Sequence, residues 1–551
     1  MRNMKKGIRI FAAAVLGLAL AACSSAEKMA QQAENVTVKC TPVVLEAVAG
    51  TVDAQVAVTY PKDYFHPKAI LEVTPVLVYE GGEAKGKTLM YQGEKVKDNY
   101  KVVPTAGTTV SEKLHFDYVE GMENSHLELR GVARYGKKSV NLPVKKVADG
   151  VNTTYMLVKR EGQLAFKKDN YQSVIKQTAE GQILYQVNSS EVQNKQLSSQ
   201  SVKDFQAALD EIAANERKTI TGTEVVAYAS PEGGEKLNAK LSDNRSKTGE
   251  KAFEKITKGK EVGTPEVRSI GQDWEGFQEL VAKSDIQDKD LILRVLSMYS
   301  DPAVRESEIR NMSQVYTSLQ SSVLPELRRA RFIANVEYQN YTAEELVELV
   351  DNNINVLDEE ALLRAAALVK DNAKKEEVYK KAVEKFGSDR AQYNLAVCYL
   401  KDGKLDKAQK ALQAVKEQDG DVQNALGVVA LRKDDLETAK KCFKKAGTAE
   451  AKANMGVVDI LSGDYAKAVQ DLADTKGCCH NTVLAYLLND QPDKALAAAH
   501  CKDPKVAYLK AIIAARQGKA ASEVKGYLEA AGKDKELAER AAKDIEFVDY
   551  R

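Results

Sequence analysis

Near the end of the chain one short pattern recurs, and it limits the fold more than any other feature. Gly403-Lys404-Leu405-Asp406-Lys407-Ala408, Asp434-Asp435-Leu436-Glu437-Thr438-Ala439 and Gly463-Asp464-Tyr465-Ala466-Lys467-Ala468 are copies of one turn and helix start. Gln491-Pro492-Asp493-Lys494-Ala495 is a shortened fourth, and the four closing alanines lie 31, 29 and 27 residues apart. A period of that size means stacked supersecondary units, each burying its apolar face only against its neighbours. Twelve residues before the first three alanines stand Ala396, Gly427 and Gly456, small enough to let paired helices approach closely. Val378 and Val524 mark weaker flanking copies. Residues 342–551 are therefore expected to form an α-solenoid of five or six helical hairpins. The recurring Gly-Asp turns exclude one long coiled coil.

The pattern resembles the tetratricopeptide repeat, in a shortened form. That resemblance implies a concave groove lined by the first helix of each hairpin and filled by a protein or peptide partner. Asn394, Asn424, Asn454 and Asn481 recur at about one place in successive first helices, with Asn424 one residue out of phase. Two readings are open: carboxamides bonding a partner's backbone, or caps near helix starts. Cys478-Cys479-His480 and His500-Cys501 form the only concentrated Cys/His set in the sequence. The hairpin brings Cys478 or Cys479 near Cys501, so a disulfide and buried thiols are both open. Adjacent cysteines do not match the usual zinc spacing, and no metal site is expected.

At 551 residues the chain is too long for a single core, and about three bodies are expected. Residues 36–150 read as a β-sandwich. Thr51–Tyr60 alternates apolar and polar residues, Ala69–Tyr79 is a strand interrupted by Pro75, and Leu127–Tyr135 alternates again. The proline suggests an edge or a bulge. Residues 155–341 alternate strand and helix, with strands near 182–187, 221–229, 267–271 and 330–336 and a helix over 198–214. A helical insertion at about 284–326 completes an α/β sandwich.

The middle body resembles the OmpA-like, peptidoglycan-associating domain. Tyr185-Gln186-Val187-Asn188-Ser189-Ser190, Ala227-Tyr228-Ala229-Ser230-Pro231-Glu232-Gly233-Gly234 and Asn238-Ala239-Lys240-Leu241-Ser242-Asp243-Asn244-Arg245-Ser246 carry the match, with Leu327-Arg328-Arg329-Ala330 at the last strand. The resemblance implies that Arg245 and Asn238 contribute to a pocket for the stem peptide of peptidoglycan. Its usual aspartate is replaced by Ser230, and Glu232 is the candidate substitute carboxylate. The rival reading pairs Arg245 with a neighbouring carboxylate and leaves the fold as a spacer. Thr74-Pro75-Val76-Leu77 and Asp273-Trp274-Glu275-Gly276 resemble OmpA-like proteins of Bacteroidota, and Trp274 is expected to anchor a core.

The chain opens with Arg2, Lys5, Lys6 and Arg9, then thirteen apolar or small residues from Ile10 to Ala22. That is a secretory signal, shorter than a bilayer span. Leu20-Ala21-Ala22-Cys23 resembles the bacterial lipobox, which implies lipidation of Cys23 after removal of residues 1–22, followed by a tether over 23–35. An outer-membrane lipoprotein on the periplasmic face is expected. Lys+Arg of 80 against Asp+Glu of 79 leave no basic footprint for nucleic acid. Five histidines and the lack of any recognisable nucleophile, phosphate-loop or zinc-protease motif point away from an enzyme and from a cofactor. The expected function is a non-catalytic adaptor that meets the cell wall through the OmpA-like body and recruits protein through the repeats. The alternative is an accessory subunit of an outer-membrane secretion or assembly complex whose OmpA-like body docks protein.

Overall fold

The computed structural model describes residues 25–287, 289–475 and 479–551. It divides into two compact units: one takes the chain up to Lys167 and again from Asp371 onward, the other runs from Lys168 to Lys370. Among the described residues, no helix is long and apolar enough to cross a membrane.

The first unit begins with the helix Ser25–Gln31, whose Ala26 and Met29 are buried among strand residues such as Tyr60, Leu71 and Val110. Within the stretch read as a tether, 23–35, these two side chains are thus packed against the sheet. Alternation does what pleat geometry requires in Thr51–Tyr60: Val52, Ala54, Val56, Val58 and Tyr60 all point inward. The expected two-sheet sandwich is instead one eleven-stranded curled sheet. The reason is the short strand Val44–Val48, which pairs antiparallel with Thr51–Tyr60 and parallel with Lys145–Asn152, joining the two halves. Pro75 sits inside the sheet, opposite Leu129. On its other side the partner changes from Leu89–Gly93, paired with residues 70–73, to Gly82–Lys85, paired with residues 76–79. A residue without an N–H fits that change of partner.

From Asp389 to Ala531 the first unit forms five helical hairpins, opening with Asp389–Lys401 and Leu405–Gln413, then Gly420–Arg432 and Leu436–Ala446. Ala449–Leu461 with Tyr465–Leu472, His480–Leu488 with Pro492–Ala498, and Pro504–Gln517 with Ala521–Ala531 complete them. Each of the first four turns contains a left-handed residue: Gly403, Asp434, Gly463 and Asp490, with φ of 74°, 63°, 79° and 54°. Glycine adopts this conformation without penalty and aspartate tolerates it. The small residues of the first helices meet large partners: a Cβ on Gly427 would stand 2.4 Å from Phe443, and one on Gly456 2.6 Å from Leu472. Each partner lies one helical turn beyond the repeat alanine, which is itself fully buried. Sheet and hairpins share one apolar core running from Leu45, Val52 and Leu127 through Tyr155 and Leu157 to Val397, Val428 and Leu484.

The second unit holds a four-stranded sheet in the order Val174–Leu184, Arg329–Gln339, Lys218–Ala229, Glu266–Gln272. Only the last pair is parallel. The helices Gln200–Ala213 and Glu235–Ile256 pack on it through Val202, Phe205, Leu209 and Phe253, which meet Ile183, Val225 and Phe332. The inserted helices Trp274–Lys283, Lys289–Met298, Pro302–Asn311 and Ser313–Ser322 have a core of their own, with Trp274 half-buried at its margin and edge-on to Phe277. Ala343–Asn352, begun by a Thr342/Glu345 capping box, and Glu359–Leu368 close the unit.

Candidate functional site

After the last strand of the sheet the chain makes a 3-10 turn at Thr154–Leu157 and then runs without regular structure to Lys167. This stretch lies along the first helices of the hairpins. Asn481 accepts the Lys159 N–H at 2.8 Å and donates to the Lys159 carbonyl at 2.9 Å. Asn454 does the same for Gln163, at 2.6 and 3.0 Å, and Asn394 for Lys167, at 2.8 and 2.9 Å. One carboxamide thus satisfies both polar groups of one residue, at steps of four residues along the segment, which answers the requirement that buried backbone groups be paired.

Asn424, the residue out of phase, straddles no peptide. It donates to the Gln163 carbonyl at 2.9 Å and accepts from Asn454 at 2.8 Å, steadying its neighbour. None of Asn394, Asn424 and Asn454 caps a helix; Ser388, Asp419 and Thr448 do that. Residues 157–167 of the chain itself thus lie along the groove that the repeats are expected to line.

Further contacts fix the segment's path. The Leu157 carbonyl accepts from His480 Nε2 at 2.6 Å, and the Ala165 carbonyl from the Tyr393 hydroxyl at 3.0 Å. Lys159 pairs with Asp503, Arg160 with Asp434, and Lys167 with Asp419. Burial opposes ionisation of Asp419 and Asp503, but lysine and backbone donors outweigh it and hold both carboxyls below the usual range. Phe166 stacks on Tyr379 with ring centroids 6.1 Å apart, and the Lys401 ammonium lies 4.4 Å from the Phe166 centroid. Gly162, at φ +78°, turns the segment where a Cβ would stand 2.6 Å from Val428.

In the same unit Cys479 and Cys501 have Sγ atoms 2.7 Å apart. The Cys479 N–H approaches Cys501 Sγ at 3.2 Å, and the Cys501 N–H approaches Cys479 Sγ at 3.4 Å. Cys479, His500 and Cys501 are the group of three among the described residues whose ligand atoms lie within 4.8 Å of one another. Cys478 and Cys23 lie outside the described residues.

In the second unit Arg245 is fully buried. Its Nε donates to the Ser189 carbonyl at 2.9 Å, Nη1 to Tyr228 at 3.0 Å and Nη2 to Gln186 at 3.1 Å, with the Tyr185 ring beneath it. Burial brings its pKa down to about 10. Glu232 lies close by but grips Arg328, with contacts of 2.8 and 3.2 Å, and accepts from the Ser230 hydroxyl at 2.6 Å. Asn238 donates to the carbonyls of Ser230 and Gly233. These four expected site residues are adjacent, and each is engaged within the fold. The ion pair of Asp273 with Arg329, at 2.7 Å and nearly buried, was not anticipated. Its signal was Asp273 just ahead of a helix, which it caps through Gly276.

Compared with protein-family models and with curated proteins, the chain matches none. Among solved structures it is similar to a tetratricopeptide repeat protein from Parabacteroides merdae, at 12% identity and a TM-score of 0.30, over 37% of this chain and 91% of that one. It is also similar to the Cut9–Hcn1 hetero-tetramer of APC/C, at 11% identity and a TM-score of 0.32, over 49% of this chain and 58% of that one. The hairpin array is defined by the chain's own helices and their packing.

Proposed function

We propose that the protein is a non-catalytic adaptor of the bacterial outer membrane, held by lipid at Cys23, whose helical array serves first as an internal clamp. The observation that carries this reading is the set of three carboxamides straddling Lys159, Gln163 and Lys167. A groove suited to an extended peptide is filled in cis, so sheet and hairpins act as one body, and recruitment of other molecules falls to surfaces outside the groove. The lipobox at Leu20–Cys23 supports the membrane anchor.

For the α/β unit, the wall-binding reading needs a guanidinium open to a carboxylate. Arg245 is closed off and committed to three carbonyls, and Glu232 is committed to Arg328. That arrangement favours the alternative, in which this unit docks protein within an envelope assembly.

The test uses the full-length protein and its Asn454→Ala/Asn481→Ala variant. Trypsin is expected to spare Lys159, Arg160 and Lys167 in the parent and to cut there in the variant, while membrane co-purification returns the same partners for both. Equal cleavage, or partners lost with the carboxamides, would reject the clamp. Retention on purified sacculus that disappears with Arg245→Ala would restore the wall-binding reading.

A further inference from the structure

We propose that Cys479 and Cys501 form a redox staple, a disulfide that locks the array onto the start of its own bound segment. The placement carries the idea. Cys479 immediately precedes His480 and Asn481, which hold the Leu157 carbonyl and the Lys159 backbone. Cys501 lies two residues before Asp503, which holds the Lys159 ammonium. Every polar contact described above for Leu157 and Lys159 is made by a residue within two positions of one of these cysteines.

The Sγ separation of 2.7 Å is closer than the optimum of about 3.5–4.0 Å for non-bonded heavy atoms. Two thiolates on one tetrahedral zinc, at about 2.3 Å per bond, would stand ~3.8 Å apart. A bond between the sulfurs suits this spacing better than a shared metal. The pair closes a span of 22 residues, from the start of His480–Leu488 to the chain beyond Pro492–Ala498. Bonding there ties the two helices of one hairpin across their open end.

The chemistry is thiol–disulfide exchange with a protein or small-molecule disulfide as oxidant. Cys501, the more exposed of the two, attacks the donor as its thiolate; a mixed disulfide forms and one donor thiolate leaves. The Cys479 thiolate then attacks the Cys501 sulfur and expels the second donor thiolate. Two cysteine thiols lose two electrons, the donor disulfide gains them, and the two protons end on the donor thiols. The presence of such an oxidant in the cell rests on the envelope reading; the pairing itself does not.

The purified full-length protein is therefore equilibrated in reduced and oxidised glutathione buffers, its remaining thiols are alkylated, and it is mapped by mass spectrometry. In oxidised buffer a loss of two hydrogens and a Cys479–Cys501 cross-link are expected. Hydrogen exchange at the Lys159 amide should slow roughly tenfold relative to the reduced protein. Cys479→Ser/Cys501→Ser should keep the circular dichroism of the parent and lose this redox dependence. Alkylation of both cysteines in oxidised buffer, a link from either to Cys478, or redox-independent exchange at Lys159 would overturn the proposal. So would one zinc per reduced chain that shields both thiols. Protein acid-trapped from envelopes should carry the link. Thiols there, with the link forming in buffer, would count against the envelope reading and leave the pairing standing.

Discussion

His480 is 1% exposed, and burial lowers its pKa from 6.5 to about 4, so it is neutral at pH 7. The imidazole must donate through Nε2 to the Leu157 carbonyl, which leaves Nδ1 buried and unprotonated. Lys159 and Lys505 oppose a proton there and Asp503 favours one. Because the folded pKa lies below the unfolded one, the unfolded chain takes up the proton first as pH falls. Stability is fully present above about 6.5 and declines toward about 4, by on the order of 3 kcal/mol. Denaturant titrations across that window should show the decline, and His480→Gln should flatten it. Gly162 makes a second residue-scale case, since alanine there meets both a positive φ and Val428. Gly162→Ala is expected to cost about 1–3 kcal/mol and to expose Lys159 and Arg160 to trypsin. Neither role was legible beforehand. A backbone carbonyl acceptor leaves no mark in the sequence, and a lone glycine after Glu161 reads only as a turn.

Among the elements, the hairpins were legible because their cause is local: a left-handed turn residue, a short amphipathic helix, and a small residue one helix earlier. What the small residue faces was not. Gly427 and Gly456 admit Phe443 and Leu472, one turn past the alanines that mark the repeat. Gly427→Ala would put a methyl carbon 2.4 Å from the Phe443 ring, and a cost of about 1–3 kcal/mol is expected. Thermal unfolding measures it, with a surface Ala→Gly change as control. A shift no larger than the control's would mean that the hairpin opens without penalty. The asparagines show the same limit. Their spacing marks a row on one face, weakened by the slip at Asn424, but a carboxamide bonds any peptide backbone. The segment it holds, residues 157–167, carries no periodicity and read as the opening of the next domain.

At the scale of the molecule, two regions far apart in sequence make one unit around a shared core, joined by the segment and by contacts such as Asn152 with Glu546 and Thr153 with Arg540. Nicking the chain at an engineered protease site after Asp169 should therefore leave the two pieces together. Co-elution on size exclusion is the expected outcome, and separation in dilute buffer would show that the shared core is too weak to hold them. The α/β unit shows the opposite relation between motif and structure. Its Ala227–Ser246 block was the plainest resemblance in the chain. The residues singled out there, Arg245 and Glu232, are nonetheless occupied by carbonyls and by Arg328, which no spacing in the sequence displays.

The local architecture is written in the residues: hairpins from a period near thirty residues, strands from alternation, and an α/β middle from their interleaving. Those features follow from interactions between residues a few positions apart, where turn chemistry and side-chain direction decide. Long-range pairing alone joins the two halves of the sheet through Val44–Val48 and lays residues 157–167 along the groove. Both depend on which distant backbone supplies the missing hydrogen bonds, and one peptide group looks like any other until the chain has folded.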